Sequence, residues 1–251
     1  MDDALGRRLG ELALRAGHTG QTTFSRFLEA GEETEAARAA ASRAGVRVSF
    51  WGGYDDAERR VAAFYPDEPP AADEWPLCPL RLQWNARFAS PGHRDLLGAV
   101  MGLGIEREMT GDIAPGRFRD APCAYLFALR ELADYIAASL DSAGRAAIRA
   151  SVAGEAPQLM PPEGQALRLT VQQERLDAVA AAAFRLSRSE AQRLVAAGLV
   201  KLNHVPCLRG DARLREGDLI SARGYGRVRL TAFQGESRRG RRVVLAFRYG
   251  K

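Results

Sequence analysis

Residues 174–207 read ERLDAVAAAAFRLSRSEAQRLVAAGLVKLNHVPC, and this stretch decides the fold of the last third of the chain. Leu176, Val179, Ala180 and Ala183 recur at i, i+3, i+4 and i+7, one apolar face of a helix. Ser187-Arg188-Ser189-Glu190 is an S-x-x-E capping box: the serine hydroxyl accepts from the amide three residues on, and the glutamate reaches back. A second helix is predicted to start there. Ala191, Leu194 and Val195 share its inner face, Arg188, Ser189, Gln192 and Arg193 its polar side, and Gly198 supplies a left-handed end. Leu199 to Leu202 then alternates as a strand, Asn203-His204 turns it, and Glu216-Gly217-Asp218 leads into Leu219 to Arg223. Arg227 to Phe233 and Arg242 to Phe247 read as a hairpin around Ser237 to Gly240.

The same region holds the positive charge. From Gln172 to Lys251 there are 17 Lys+Arg against 7 Asp+Glu, whereas Met1 to Val171 holds 19 against 24. A basic module on a mildly acidic body is the footprint of a chain that grips a polyanion with one end, nucleic acid first among candidates. Lys201 and Lys251 are the only lysines, so the charge is almost all arginine, whose planar fork matches phosphate oxygens. A helix start adds backbone N–H donors and the positive end of the dipole, so an arginine placed there acts on the same anion. Arg175, Arg185 and Arg188 are expected to converge on such a site.

This stretch resembles the S4 RNA-binding domain of a ribosomal protein and of many translation factors and RNA-modifying enzymes. The resemblance rests on Arg175-Leu176-Asp177, Ser187-Arg188, Ala191, Gly198-Leu199-Val200, Asn203 and Gly217-Asp218, in that order and spacing. His204 departs from it, since glycine usually follows the asparagine and a left-handed turn favours glycine. The resemblance implies that Arg175 and Arg188, at the two helix starts, contact RNA phosphates. Arg185, Ser189, Gln192, Arg193, Lys201 and Asn203 are further RNA-binding candidates.

Toward the N-terminus, AGEAPQLMPPEGQ at residues 153–165 carries three prolines and two glycines, so residues 154–171 are read as a linker to an S4 domain at 172–251. Residues 80–153 form the middle domain. Its predicted order is a strand at Leu80 to Trp84, a helix capped by Ser90 with Pro91 at its first position, strands near Ile105 to Ile113 and Cys123 to Ala128, a helix at Arg130 to Leu140, and a strand at Ala146 to Val152. That is β-α-β-β-α-β, a ferredoxin-like layout. Such a sheet often serves as an RNA platform, but the strand around Tyr125 and Phe127 lacks the Gly-aromatic sequence of the RRM stacking motif, which assigns those rings to the core. Residues 1–79 read as a small α/β domain. It has an alanine-rich helix at Thr34 to Ala44, a strand at Val46 to Trp51, a Gly52-Gly53 turn, a charged helix from Asp55 to about Phe64, and a proline-rich acidic connection from Pro66 to Pro79. The fold class is therefore α+β.

Phe50-Trp51-Gly52-Gly53-Tyr54 with Ala57-Glu58-Arg59 resembles the FFGGY...AER element of the YlmH family, S4-domain proteins of bacterial translation. His93-Arg94-Asp95-Leu96-Leu97-Gly98, Gly102-Leu103-Gly104-Ile105, Arg107 and Gly111-Asp112-Ile113 are similar to that family's middle block, and Gly226-Arg227 with Gly240-Arg241 to its end. The resemblance implies an rRNA- and tRNA-binding protein of the large ribosomal subunit, acting when peptidyl-tRNA obstructs it, within ribosome-associated quality control. A role in cell division stands beside it. For the Gly52-Gly53 and His93-Arg94-Asp95 elements, turn geometry and helix capping stand beside RNA contact.

Enzyme readings find little support. His93-Arg94-Asp95-Leu96 spells the start of a kinase catalytic loop, but Val100 stands where the metal-binding asparagine belongs. Arg175-Leu176-Asp177 resembles the catalytic context of pseudouridine synthases, yet here it opens the S4 helix itself, which makes Asp177 a helix residue. An RNA-modifying enzyme built on the middle domain remains the alternative. Cys78, Cys123 and Cys207 are far apart and are read as buried free thiols, and no metal or cofactor motif is present. No small-molecule substrate is expected. With no apolar run long enough to span a bilayer and no basic, apolar leader behind Asp2 and Asp3, the protein is expected to be cytoplasmic with no membrane partner.

Overall fold

A computed structural model describes residues 3–236 and 240–250. The chain forms two compact units, Met1–Met160 and Pro161–Lys251. In the first, α1 (Asp3–Thr19), β1 (Thr23–Leu28), α2 (Glu32–Ala44), β2 (Arg47–Trp51) and β3 (Arg60–Tyr65) make a three-stranded antiparallel sheet in the order β1-β3-β2. Both helices pack on one face, where Leu9, Ala13 and Ala16 of α1 meet Ala36, Ala37, Ala40 and Ala41 of α2 over Ala62 and Phe64. Neither α1 nor β1 was expected from the sequence. The charged helix expected from Asp55 to Phe64 is a correction: turns lead into β3. As the central strand, β3 is buried on both faces, so it reads as a continuous apolar run without the alternation that marks a half-exposed strand.

The ferredoxin-like order is realised by β4 (Leu77–Gln83), α3 (His93–Gly102), β5 (Thr110–Phe118), β6 (Ala121–Leu129), α4 (Ala133–Ser139) and, after the small ribbon β7 (Ser142–Ala143) and β8 (Ala146–Ala147), β9 (Arg149–Val152). The sheet runs β5-β6-β4-β9, antiparallel throughout. Helices α3 and α4 cover one face through Leu96, Val100 and Ile136, against Leu80, Leu82, Ala124 and Leu126. The other face packs Tyr125 and Phe127, each 1% exposed, against Phe27, Val61 and Ala63 of the first sheet, so both rings are core. Helix α3 starts two residues later than the Ser90 cap implied. Gly92 is its cap, and Asp95 reaches back to accept from the Gly92 amide at 2.9 Å. Cys78 and Cys123 are buried free thiols, each pushed up by burial. Cys207 is a correction to the buried reading: its thiol is free but only half-buried.

A buried polar joint ties the two sheets. Asp112 accepts from the Tyr54 hydroxyl at 3.0 Å and from the Glu58 amide at 2.7 Å. Buried Arg59 donates to the carbonyls of Thr110, Phe27 and Arg107 and to Glu29. Each donor that leaves water finds a partner, the condition for burying a guanidinium at tolerable cost. Gly53, at φ +98°, lies against the Phe127 ring, and Gly52 against the Arg59 carbonyl, so both glycines permit close approach. The FWGGY, AER and GDI elements thus meet in one place.

At the rim of this joint Glu108 accepts a forked pair from Arg8, at 3.1 and 2.7 Å, and also bonds Arg26. Hydrogen bonds from Arg8, working against partial burial and joined by Arg26, hold its carboxyl down to about 2. A carboxyl depressed on folding contributes stability above its unfolded value of about 4.3, and that contribution is lost as pH falls toward the folded value. In urea titrations the gap between wild type and Glu108→Gln should be constant from neutral pH to about 5 and close as pH falls toward about 2. A gap unchanged over that span would deny Glu108 this role.

In the second unit β10 (Gly164–Val171) precedes α5 (Leu176–Phe184), α6 (Arg188–Ala196), β11 (Val200–Leu202), β12 (Val205–Pro206), β13 (Leu219–Ala222), β14 (Gly226–Glu236) and β15 (Arg242–Tyr249). The six-stranded antiparallel sheet runs β10-β15-β14-β13-β11-β12. Strand β10 falls within the expected 154–171 linker, yet pairs with β15 along its length. Leu167, Leu169 and Val171 turn toward the core while Ala166, Arg168 and Thr170 face out, a period-two pattern that follows the prolines. Of the expected Ser237–Gly240 turn, residues 237–239 lie outside the described residues.

Candidate nucleic-acid interface

The two helix starts of the second unit are built differently. At α6 the capping box forms in full: Glu190 N donates to Ser187 Oγ at 3.2 Å and Ser187 N to Glu190 Oε2 at 2.8 Å. The Arg188 and Ser189 amides precede the helix's own hydrogen-bond ladder. Leu199 N donates to Leu194 O and Gly198 N to Val195 O, closing the helix as a Schellman motif around Gly198 at φ +69°. At α5, by contrast, the first amides are spent. Leu176 N donates to Ala212 O and Asp177 N to Gly210 O, both at 2.9 Å, so this start is not the open anion site expected from the sequence.

What α5 contributes instead is Asp177, a fully buried carboxylate. Arg175 meets it through a fork, Nε to Oδ1 at 3.1 Å and Nη2 to Oδ2 at 3.0 Å. Gln192 Nε2 donates to Oδ2 at 3.1 Å, and Arg188 Nη2 lies 3.7 Å from the same oxygen. Burial pushes the carboxyl up, but the bonds from Gln192, Arg175 and the Ala178 amide outweigh it and hold the group below its ordinary value. Asp177 therefore joins residues from the N-terminal parts of two helices while each arginine keeps an exposed portion, 31% for Arg175 and 54% for Arg188. A guanidinium with one edge satisfied and the other in solvent is pre-oriented for an anion.

Of the residues predicted from sequence, Arg175, Arg188 and Gln192 are brought together. Arg185 stands exposed between the helices at φ +57°, a left-handed conformation uncommon for a side chain of its size. Ser189 and Arg193 are exposed on α6, and Lys201 is exposed on β11; none of the three contacts the cluster among the described residues. Asn203 is engaged in its own turn: Nδ2 donates to Asp218 at 2.8 Å and Oδ1 accepts from the Leu219 amide at 2.9 Å. With Asn203 at φ +50° and His204 at +71°, the tight turn forms although His204 replaces the usual glycine.

Two features escaped the sequence reading. One is Asp177 as organiser, whose signal was its two-residue spacing from Arg175. The other is a cleft of about 290 Å³ beside α5, lined by Arg188 and Arg241, by the polar Gln172 and Gln173, and by Ala178 and Leu186. Only the folded strand ends bring positions 172 and 241 together.

Residues 70–154 match the model described as "Putative RNA-binding domain in YlmH", and residues 174–220 match the S4 domain. The chain is 36% identical over 203 residues to ribosome-associated protein quality control protein P2 of Bacillus subtilis (strain 168), covering 80% of this chain and 77% of that protein. The solved structure of cell division protein ylmH from Streptococcus pneumoniae superposes with a TM-score of 0.49 at 19% identity, over 61% of this chain and 90% of that one. With an S4 module, a matching middle domain and this extent of identity, the chain belongs to the YlmH family of RNA-binding proteins.

Proposed function

We propose that this protein is a cytoplasmic, non-catalytic binder of structured rRNA or tRNA on the large ribosomal subunit, working in quality control of complexes stalled with peptidyl-tRNA. The observation that carries the reading is the Asp177-centred cluster, which fixes Arg175, Arg188 and Gln192 on one polar surface of an S4 module. Rigid guanidinium groups at fixed spacing suit the phosphates of a folded RNA, whose spacing is also fixed. The name of the Bacillus subtilis relative supports the ribosomal setting. The burial of Asp177 supports a binding role over a catalytic one, because a carboxylate held by three side chains and closed to solvent is not presented to a substrate.

Arg185, Ser189, Arg193 and Lys201 extend this proposed surface, and Asn203 supports its edge. Arg175→Glu with Arg188→Glu should abolish co-sedimentation with large subunits carrying peptidyl-tRNA. Replacing the pair by glutamine should lower the slope of log affinity against log salt by about two. Undiminished co-sedimentation of the glutamate pair would place the ribosome-binding surface elsewhere. Mass spectrometry of rRNA and tRNA from a deletion strain should show every modification retained, and a lost one would make the protein an enzyme.

A further inference from the structure

The middle sheet carries a second assembly of nucleic-acid-binding groups, on the face opposite α3 and α4 and beyond the part packed against the first sheet. There a hollow of about 410 Å³ is lined by Arg81, Gln83, Phe118, Arg119, Arg149 and Ser151. Register explains the grouping: Arg81 lies opposite Ser151 and Gln83 opposite Arg149 across β4 and β9, so all four point to one side. On the same side Phe118 pairs with Ala121 at the far edge, and the short side chain of Ala121 leaves the hollow open.

We propose that this hollow binds an unpaired segment of RNA, as a contact separate from the S4 module. The Arg81 guanidinium lies over the Phe118 ring, 3.5 Å from its centroid, and Arg119 approaches the same ring at 5.1 Å. Such an arginine–aromatic stack presents flat surfaces on which a base of any identity can lie. Glu155 pairs with Arg81 at 3.2 Å, whereas Arg119 and Arg149 are exposed and carry no ion pair among the described residues. Their charge is available to phosphates. Ser151 Oγ is buried without a hydrogen-bond partner, and the Gln83 side chain, accepting from Arg81 Nε at 3.3 Å, keeps its amide hydrogens free for a base edge.

The recess selects for the unpaired form. A duplex offers convex phosphate ridges with its bases already paired, so it brings no base edge into the recess to Gln83 and Ser151 and does not seat between the arginines at its rim. A splayed nucleotide engages all of them. This site differs from the usual stacking platform of such sheets, because the central aromatics Tyr125 and Phe127 are consumed by the core.

The test uses the full chain and fluorescence anisotropy with two labelled probes, an oligouridine and a hairpin RNA closed by a tight, self-stacked tetraloop that offers no splayed base. Arg119→Gln with Arg149→Gln should weaken oligouridine binding about tenfold and leave hairpin binding within about twofold. Phe118→Leu, which keeps apolar bulk and removes the ring, should weaken oligouridine about fivefold with an unchanged thermal midpoint. Arg175→Glu with Arg188→Glu should spare oligouridine, so failure of the S4 assignment and failure of this one are told apart. Unchanged oligouridine affinity in the glutamine pair, equal losses on both probes, or competition by polyglutamate as effective as by oligouridine would each overturn the proposal.

Discussion

Asp177→Ala is expected to destabilise the Pro161–Lys251 unit by about 2–4 kcal/mol, more than any single arginine of the same cluster. A hydrogen bond to a charged group contributes about 1.5–3 kcal/mol, and this carboxylate accepts from Gln192, Arg175 and the Ala178 amide at once. The loss stays below the about 3–5 kcal/mol of a fully buried broken pair, because Arg175 and Arg188 can turn to water once released. Truncation also opens space beside Gly210, whose backbone packs on the Asp177 side chain. Asp177→Asn keeps the shape but aims an amide at Arg175, so about half of the loss should remain.

The readout for this substitution must be chosen with care. Trp51, Trp75 and Trp84 all lie in the other unit, so tryptophan fluorescence is blind to it. Hydrogen exchange at the amides of α5 and α6 should accelerate by about 30- to 800-fold, the factor that corresponds to the stated energy. Because the folded carboxyl is depressed below its unfolded value of about 3.9, its contribution is complete above that pH and fades as the solution is made more acid. Wild type and Asp177→Ala should therefore converge at low pH. Equal exchange rates at neutral pH would show that the cluster organises nothing.

The same carboxylate marks how far the sequence can be read. Both S4 helices were legible because their signals are local: apolar spacing at Leu176, Val179, Ala180 and Ala183, and the Ser187–Glu190 box, each complete within one helix. The ferredoxin-like order was legible for a similar reason, since every one of its strands has a polar or glycine-marked boundary. Charge pairing across elements was not. Nothing in the spacing of Asp177 and Gln192 shows that a residue of α5 and one of α6 will share a hydrogen bond, and the spent amides of α5 depend on a loop some thirty residues away. Strand β3 was hidden for a third reason: a strand buried on both sides loses the alternation by which strands are recognised, and the charged residues before it imitate a helix start. The open hollow on the middle sheet was invisible because its residues come from strands far apart in sequence and the turn after β5, joined only by register.

Gly53→Val is expected to cost the Met1–Met160 unit about 3–5 kcal/mol, and the size of the effect distinguishes two uses of glycine. Gly53 sits at φ +98°, where an L side chain alone costs about 1–2 kcal/mol, and a β-branched one more. A Cβ there would also come within 2.2 Å of Phe127 Cδ1 and 2.6 Å of its Cε1, and that ring is 1% exposed and stacked on Tyr54 with centroids 5.0 Å apart, so it has nowhere to retreat. Overpacking of that kind adds about 1–3 kcal/mol. Displacing the ring in turn shifts Tyr54, whose hydroxyl donates to Asp112, and loosens the joint that also seats Arg59. Gly20 provides the control within the same unit: its φ is +70°, but a Cβ would meet nothing within 4 Å. Gly20→Ala should cost only the conformational part, about 1 kcal/mol. Urea unfolding followed by tryptophan fluorescence reports this unit directly, since Trp51 and Trp75 pack in the affected core. Equal midpoints for Gly53→Val and Gly20→Ala would mean that Phe127 can yield, and that the FWGGY element serves as a turn rather than as the seam between the two sheets.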